Sequence, residues 1–476
     1  MSHKQPPRPL GTPPQEGNAY PKDGAQNSPP LEGWQAQPDG VVPRLRFPEF
    51  RDKGEWDADE LGEIAEFVNE KIPLERIALE NYVSTENILQ DYGGVARASK
   101  LPAMGSVTRF RSNDTLVSNI RPYLKKVWVA DKEGGASNDV IVIRAKPRLL
   151  PQYFSFLLKN DAFIDYVMMG AKGVKMPRGD IGSMKEYPAL YPSKAEQQKI
   201  ADCLTSIDEL ITAQTQKIDA LKAHKKGLMQ GLFPSNGGVG SEAGRGGDYA
   251  EGDHPTPAGH PSSGGEFVPK LRFPEFRDKG EWKEIRLKNV CERIMDGTHF
   301  SPKSKEGPRM YLTSKNIQDG AITLSNISYI SEEEHRQIYA RCPVIRNDVL
   351  LTKDGANTGN CALNELEFEF SLLSSVAVLR GNPLLVAQGF LYQIIQSDKV
   401  QKLIKESMSG QAITRITLEK IGNFEISITG TKEQQKIVDC LTAVDELLAA
   451  QTQKLDALKT HKKGLMQQLF PCLSKE

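Results

Sequence analysis

The sequence predicts an α/β chain built twice. Two variable α/β globules are each followed by a long coiled-coil helix, and the two helices pair antiparallel about a pseudo-two-fold axis. Three observations carry this prediction. The stretch "EQQKIADCLTSIDELITAQTQKIDALKAHKKGLMQGLFP" from Glu196 to Pro234 returns as "EQQKIVDCLTAVDELLAAQTQKLDALKTHKKGLMQQLFP" from Glu433 to Pro471, with about 31 of 39 positions identical. The phrase "VPRLRFPEFRDKGEW" (Val42–Trp56) returns as "VPKLRFPEFRDKGEW" (Val268–Trp282), differing only in Arg44 against Lys270. Between phrase and helix the two copies diverge, and the second is about 11 residues longer.

Taken in order, residues 1–41 are rich in Pro, Gly, Gln and Ser and poor in large apolar side chains. Such a segment buries too little surface to offset its ordering entropy, so it is predicted to be a disordered tail. Residues 42–192 form the first arm and globule, and 193–234 the first long helix. Residues 235–267 read as a flexible Gly-rich linker. The pattern then repeats: arm and globule over 268–430, helix over 431–471. Sparse matches survive inside the globules: "NYVSTENI" with "MYLTSKNI", "RSNDTLVS" with "IRNDVLLT", "VIVIRAKP" with "VAVLRGNP", "GDIGSMKEYPAL" with "EKIGNFEISITG". Short β-branched runs broken by Gly, Asn and Asp predict strands. "PQYFSFLLKNDAFIDYVM" and "AQGFLYQIIQSDKVQKLIKES" predict helices after a strand.

In the first long helix, Ile200, Leu204, Ile207, Ile211, Gln214, Ile218, Leu221, Lys225, Leu228 and Leu232 alternate spacings of four and three. The second copy keeps the register from Ile437 to Leu469. This is a coiled-coil seam of about five heptads. Ser193 before Glu196 and Thr431 before Gln434 have capping-box spacing. A helix of about 37 residues is roughly 55 Å long, and so narrow a stripe needs a partner. The simplest partner is its own copy, which would hold the two globules at opposite ends of a rigid spacer. Gln214 and Gln451 fall mid-seam, where polar residues fix register.

Composition narrows the function classes. Formal charge is zero, so no global field selects a polyanion. The six cysteines stand apart with no CxxC, which fits free thiols in a reducing compartment. No apolar run reaches membrane-spanning length and no signal-peptide core opens the chain, so a cytoplasmic protein with no membrane partner is expected. There is no Gly-Lys dipeptide, hence no Walker A loop, and no NPPY, GxSxG or HExxH. No catalytic residues and no metal site are therefore expected. The heptads alone would fit a protein-binding scaffold, and an enzyme of unfamiliar fold is a third reading. A scaffold, however, gives no reason for globules to diverge between near-identical flanks.

Two copies of "FPEF…W", two variable globules and two "EQQKI" helices closing in "HKKGLMQ.LFP" resemble the specificity subunit of type I restriction–modification enzymes. The resemblance covers about residues 42 to 471 apart from the linker, and includes "SNIRPYLKK" and "GAKGVKMPRGD". It implies that each globule is a target recognition domain reading one half of a bipartite duplex DNA target. It implies that the helices set the spacing and dock two modification subunits, that two motor–nuclease (restriction) subunits join for cleavage, and that this chain is not an enzyme. The assembled complex would use S-adenosylmethionine, ATP and Mg, none of them bound by this chain. The tail and the long linker depart from the family pattern.

Charge becomes informative once divided. Residues 97–185 carry about 16 basic and 7 acidic side chains, whereas 57–91 carry about 2 and 10, so one face of the first globule is expected to be positive. The sharpest stretch, Gly170–Asp180, sets Lys172, Lys175 and Arg178 among three glycines. "SNIRPYLKK" adds Asn119, Arg121, Lys125 and Lys126. Arginine can bond guanine and asparagine adenine in the major groove, while lysines more often hold phosphates. In the second globule the matching loops nominate Lys315, Asn316, Lys353, Asn357, Gln411 and Arg415. Asp354 could accept from a cytosine amine or cap a turn.

Overall fold

The computed structural model describes residues 42–234, 268–304, 306–408 and 415–471; the predicted tail and linker lie outside them. The chain divides into two compact units. One takes the described residues up to Ile211 together with those from Ala457 onward, and the other spans Thr212–Asp456.

In the first unit, the strand Asp57–Glu60 pairs antiparallel with Pro188–Tyr191, tying the end of the arm to the segment that leads into the long helix. An antiparallel sheet carries the core, in the order Ala65–Phe67, Val140–Ala145, Thr115–Ser118, Val127–Val129. The helices Pro151–Leu158 and Asp161–Met169 follow its longest strand and bury Tyr153, Phe154 and Phe163 completely. A second sheet is ordered Lys71–Pro73, Ser106–Phe110, Gly134–Ala136, Tyr82–Val83, with the last pair parallel.

The second unit repeats this plan. Lys283–Arg286 pairs antiparallel with Glu425–Ile428. The core sheet runs Cys291–Asp296, Val376–Gly381, Val349–Thr352, Cys361–Leu363, which is the same order in chain terms. The helices Gln388–Gln396 and Asp398–Met408 follow its long strand. Here the second sheet has three strands, Ser328–Ile330, Arg309–Leu312 and Ser371–Leu372, and a helix, Glu332–Arg341, is added. The sparse sequence matches mark this shared skeleton, though not always as strands. "NYVSTENI" contributes only Tyr82–Val83 before it turns, and "GDIGSMKEYPAL" forms a short helix, Ile181–Lys185, before its strand.

The long helices run Lys194–Leu232 and Thr431–Leu469. Every seam position named above is buried or half-buried, while Thr205, Glu209, Lys217 and Lys222 between them are exposed. Within the second unit the helices pack together. Gln214 Nε2 donates to the Gln451 carbonyl and to its Oε1, both at 2.9 Å. Lys225 meets Asp445 at 2.7 Å. Advancing from Gln214 to Lys225 on one helix moves back from Gln451 to Asp445 on the other, so the pair is antiparallel. The helix starts correct one expectation: Thr431 is the first residue inside its helix, not the residue before it.

The repeated phrases are structural clamps. Arg46 grips Glu196, and Arg272 grips Glu433, each through two nitrogens. The next glutamine pins the loop before the globule's helices. Gln197 accepts from Leu150 N at 2.9 Å, and Gln434 from Ala387 N at 2.8 Å. Lys199 pairs with Glu49 and lies 5.7 Å from the Phe47 ring, and Lys436 repeats this with Glu275 and Phe273. The tryptophan closing each phrase packs edge-on against the phenylalanine that ends the other copy's helix: Trp56 on Phe470 in the first unit, Trp282 on Phe233 in the second. Among the described residues, no helix is long and apolar enough to cross a membrane.

Candidate nucleic-acid interface

Two buried devices hold the loops of each domain. The first is an ion pair. Asp114, 2% exposed, caps Arg111 N at 2.8 Å and receives Arg144 through two nitrogens at 2.8 Å. Asp348, 1% exposed, does the same for Ile345 N and Arg380. A left-handed asparagine, Asn113 or Asn347, precedes each aspartate. The second device is an asparagine turn. Asn87 Oδ1 accepts from Ser84 N, and its amide donates to Ala96 O. Asn316 Oδ1 accepts from Thr313 N at 3.0 Å, and its amide donates to Thr323 O at 3.2 Å.

In the first domain, residues 170–180 form a small hairpin. Lys172 and Arg178 exchange backbone hydrogen bonds at 2.9 Å, and Gly173 takes the left-handed conformation (φ +98°) that closes the turn. The hairpin is zipped to the Asn119–Arg121 segment: Arg121 N donates to Pro177 O at 2.8 Å and Gly179 N to Asn119 O at 3.2 Å. The structure thus brings Asn119, Arg121, Lys172, Lys175 and Arg178 together. Lys172 pairs with Asp180 at 2.7 Å and Arg178 with Asp139 at 3.2 Å, both on the surface, while Lys175 is exposed. The Lys172 ammonium, then the Ser183 N–H, hold the Asp180 carboxyl below its ordinary range. Among the described residues, Asn119 Oδ1 and Arg121 Nε are buried without a hydrogen-bond partner, a costly arrangement. Lys125 and Lys126 are engaged elsewhere. Lys125 pairs with Asp161 at 2.6 Å, and Lys126 donates to Thr85 O at 2.6 Å. The hairpin tip also exposes Val174 and Met176.

In the second domain, Lys315 and Asn357 are exposed, and Arg415 lies beside Asp354 at 3.6 Å. Two nominated residues are buried. Asn316 is 4% exposed and holds the turn just described, as Asn87 does in the other domain. Lys353 is 1% exposed, locked between Asp296 at 3.3 Å and Asp354 at 3.6 Å. A buried ammonium needs paired carboxylates, and both are supplied here, so neither side chain is a free surface contact. Asp354 is shared by Lys353 and Arg415. Gln411 lies outside the described residues. Among the described residues, no group of three or more His, Cys, Asp or Glu could hold a metal.

The family model for the type I restriction modification DNA specificity domain matches twice, over residues 53–223 and 279–460. The chain belongs to this family. Each match takes in one recognition domain and most of the helix that follows. The type I restriction enzyme MjaVIII specificity subunit of Methanocaldococcus jannaschii is 21% identical over 440 residues, covering 90% of this chain and 93% of that one. The MjaIX specificity subunit of the same organism is 20% identical over 327 residues, covering 68% and 69%. Among solved structures, the S subunit of a type I restriction-modification system from M. genitalium shares the fold at a TM-score of 0.53. It is 16% identical, and the match covers 91% of this chain and all of that one.

As a type I specificity subunit, the chain belongs to a family that recognises DNA and does not itself catalyse. The clamps, the Asp–Arg pairs and the asparagine turns are its frame, and the loops they hold are where the two domains differ. Sequence reading missed one exposed group there. Phe300 is 77% exposed, in the stretch "DGTHFSPK". An aromatic set between a Gly-Thr turn and a proline was the available signal.

Proposed function

We propose that each recognition domain reads one half of a bipartite duplex target, and that the paired helices set the interval between halves. One observation carries this reading. The two domains share sheet order, buried Asp–Arg pair and asparagine turn, yet present different exposed side chains on the loops. The first offers Lys172, Lys175 and Arg178 beside Asn119 and Arg121, and the second Lys315, Asn357 and Arg415. A common frame with unlike loops suits two independent readers.

The helices also dock two modification subunits in this reading. Each helix exposes a leucine at the same repeat position, Leu210 at 56% and Leu447 at 42%, beside a seam that is otherwise covered. Two restriction subunits complete the assembly in the cytoplasm. S-adenosylmethionine, ATP and Mg serve those subunits rather than this chain. The test is to co-express the chain with its modification subunit and map methylated adenines. Exchanging residues 57–192 for another such domain should change one half of the methylated motif and leave the other intact. A change in both halves defeats the modular reading.

A further inference from the structure

Phe300 stands on a loop that is braced rather than slack. At its start, a Cβ on Gly297 would collide with the Leu372 carbonyl, so the backbone there lies directly against the neighbouring strand. Thr298 N donates to Leu372 O, and Thr298 O accepts from Ser374 N, both at 2.8 Å. Phe300 N donates to Thr298 Oγ1 at 3.2 Å. Beyond the ring, the Glu334 carboxylate takes Lys303 N at 2.6 Å and Ser304 N at 3.0 Å. A slack loop would fold so large an apolar side chain back onto the domain, because burial is favourable. Here the backbone is bonded on both sides of the ring, and the ring faces water.

The base of this loop is wired to the other nominated loops. His299 Nε2 lies 3.7 Å from Asp296 Oδ1, and Asp296 Oδ2 lies 3.3 Å from the buried Lys353 ammonium. Lys353 reaches Asp354 at 3.6 Å, and Asp354 reaches Arg415 at 3.6 Å. Ser375 bridges further, accepting from Lys353 N with its carbonyl and from Ser314 N with its hydroxyl. The base of the Phe300 loop is therefore linked to the segments that carry Lys315 and Arg415. Apolar surface set among cations and amides suits a nucleic-acid groove. Cations hold phosphates there, while a thymine methyl or an unstacked base step supplies apolar surface.

Resting on the recognition reading above, we propose that Phe300 makes an apolar contact with the bases of the half-site read by the second domain. The Asp296–Lys353–Asp354 chain positions its loop relative to Arg415.

The test uses the full chain assembled with its modification subunits and the target mapped as above. Phe300→Ala should lower affinity for the specific duplex about tenfold, the scale of one lost base contact. The slope of log affinity against log salt should stay unchanged, because no phosphate contact is lost. Phe300→Leu should keep most of the affinity. Discrimination should relax at positions of the second half-site only. The inference is overturned if Phe300→Ala binds and discriminates like the parent. It is equally overturned if target binding survives while subunit stoichiometry changes, which would assign the ring to a protein contact. A parent complex with no sequence preference at all would instead defeat the recognition reading itself.

Discussion

The Arg46 guanidinium meets the Glu196 carboxylate through two parallel hydrogen bonds of 2.8 Å, with side chains only 6% and 1% exposed. The pair joins the arm to the first turn of the long helix across 150 residues of sequence. Removing one partner leaves a buried charge uncompensated, which costs about 3–5 kcal/mol. Arg46→Ala should destabilise the chain on that scale in urea denaturation. Replacing both partners with apolar residues of similar size should cost far less. A loss below about 1 kcal/mol for Arg46→Ala would show that the pair is dispensable.

The hairpin cations make a salt-dependent prediction. Replacing Lys172, Lys175 and Arg178 with Ala in the assembled complex should weaken binding to all duplexes. It should also reduce the salt slope by about 0.9 for each phosphate contact removed. Lys172 also bonds Asp180, so helical content must be checked alongside. Unchanged affinity and slope would give the hairpin a structural role.

Lys159 makes a pH-dependent one. Its ammonium lies 5.5 Å from the Phe156 ring, and Lys462 approaches the same ring at 5.4 Å. Burial first, and Lys462 second, push Lys159 down to about 8, against the opposing pull of Asp208. A lysine in the unfolded chain keeps its proton to about 10.5. Between those values the unfolded state holds a proton that the native state has shed, so stability rises with pH across the window. Below about 8 the native state carries the full penalty. The second domain has Gln396 at the corresponding place, where it accepts from Lys225 Nζ at 3.0 Å. Lys159→Gln should therefore raise the melting temperature at pH 7 and flatten its dependence up to pH 10. An unaltered pH profile would reject this account.

The paired helices predict a spacing. One heptad inserted after Gln214 and one after Gln451 adds about 10.5 Å at 1.5 Å per residue, roughly three base pairs. The seam is preserved, because seven residues keep its repeat. Three base pairs also rotate the second half-site by about 100°, so weakened methylation at the longer spacing is expected. A well-folded variant that methylates only the original spacing would remove the ruler role.

The repeated frame was readable because its residues recur in runs: the arm, the "EQQKI" start and the heptads are long enough to match by eye. Inside the globules the shared skeleton rests on single residues. Asp114 and Arg144 find each other across 30 residues, and Asp348 and Arg380 across 32, which no local period announces. The same reason hid the burial of Lys353. A lysine in a Gly-rich loop reads as exposed unless Asp296, on a distant strand, is known to be its partner. Asparagine suits both adenine and turns, and the bonds of Asn316 to Thr313 and Thr323, which hold a turn, have no local sequence signal. Phe300 escaped notice because one aromatic in a polar loop has no periodicity.

The exchange of helix tips gives the two units different histories on the ribosome. Leu232 and Phe233, which complete the core around Trp282, have already been synthesised when that tryptophan emerges. The second unit can close as its own sequence appears. Trp56 and Tyr153 instead receive Met466, Leu469 and Phe470, the final side chains of the second helix. The domain made first is thus completed after the second, its core open to chaperones until the second helix has been made. A stop codon ahead of Met466 would strike the first domain and spare the second, which lies nearer to it in sequence.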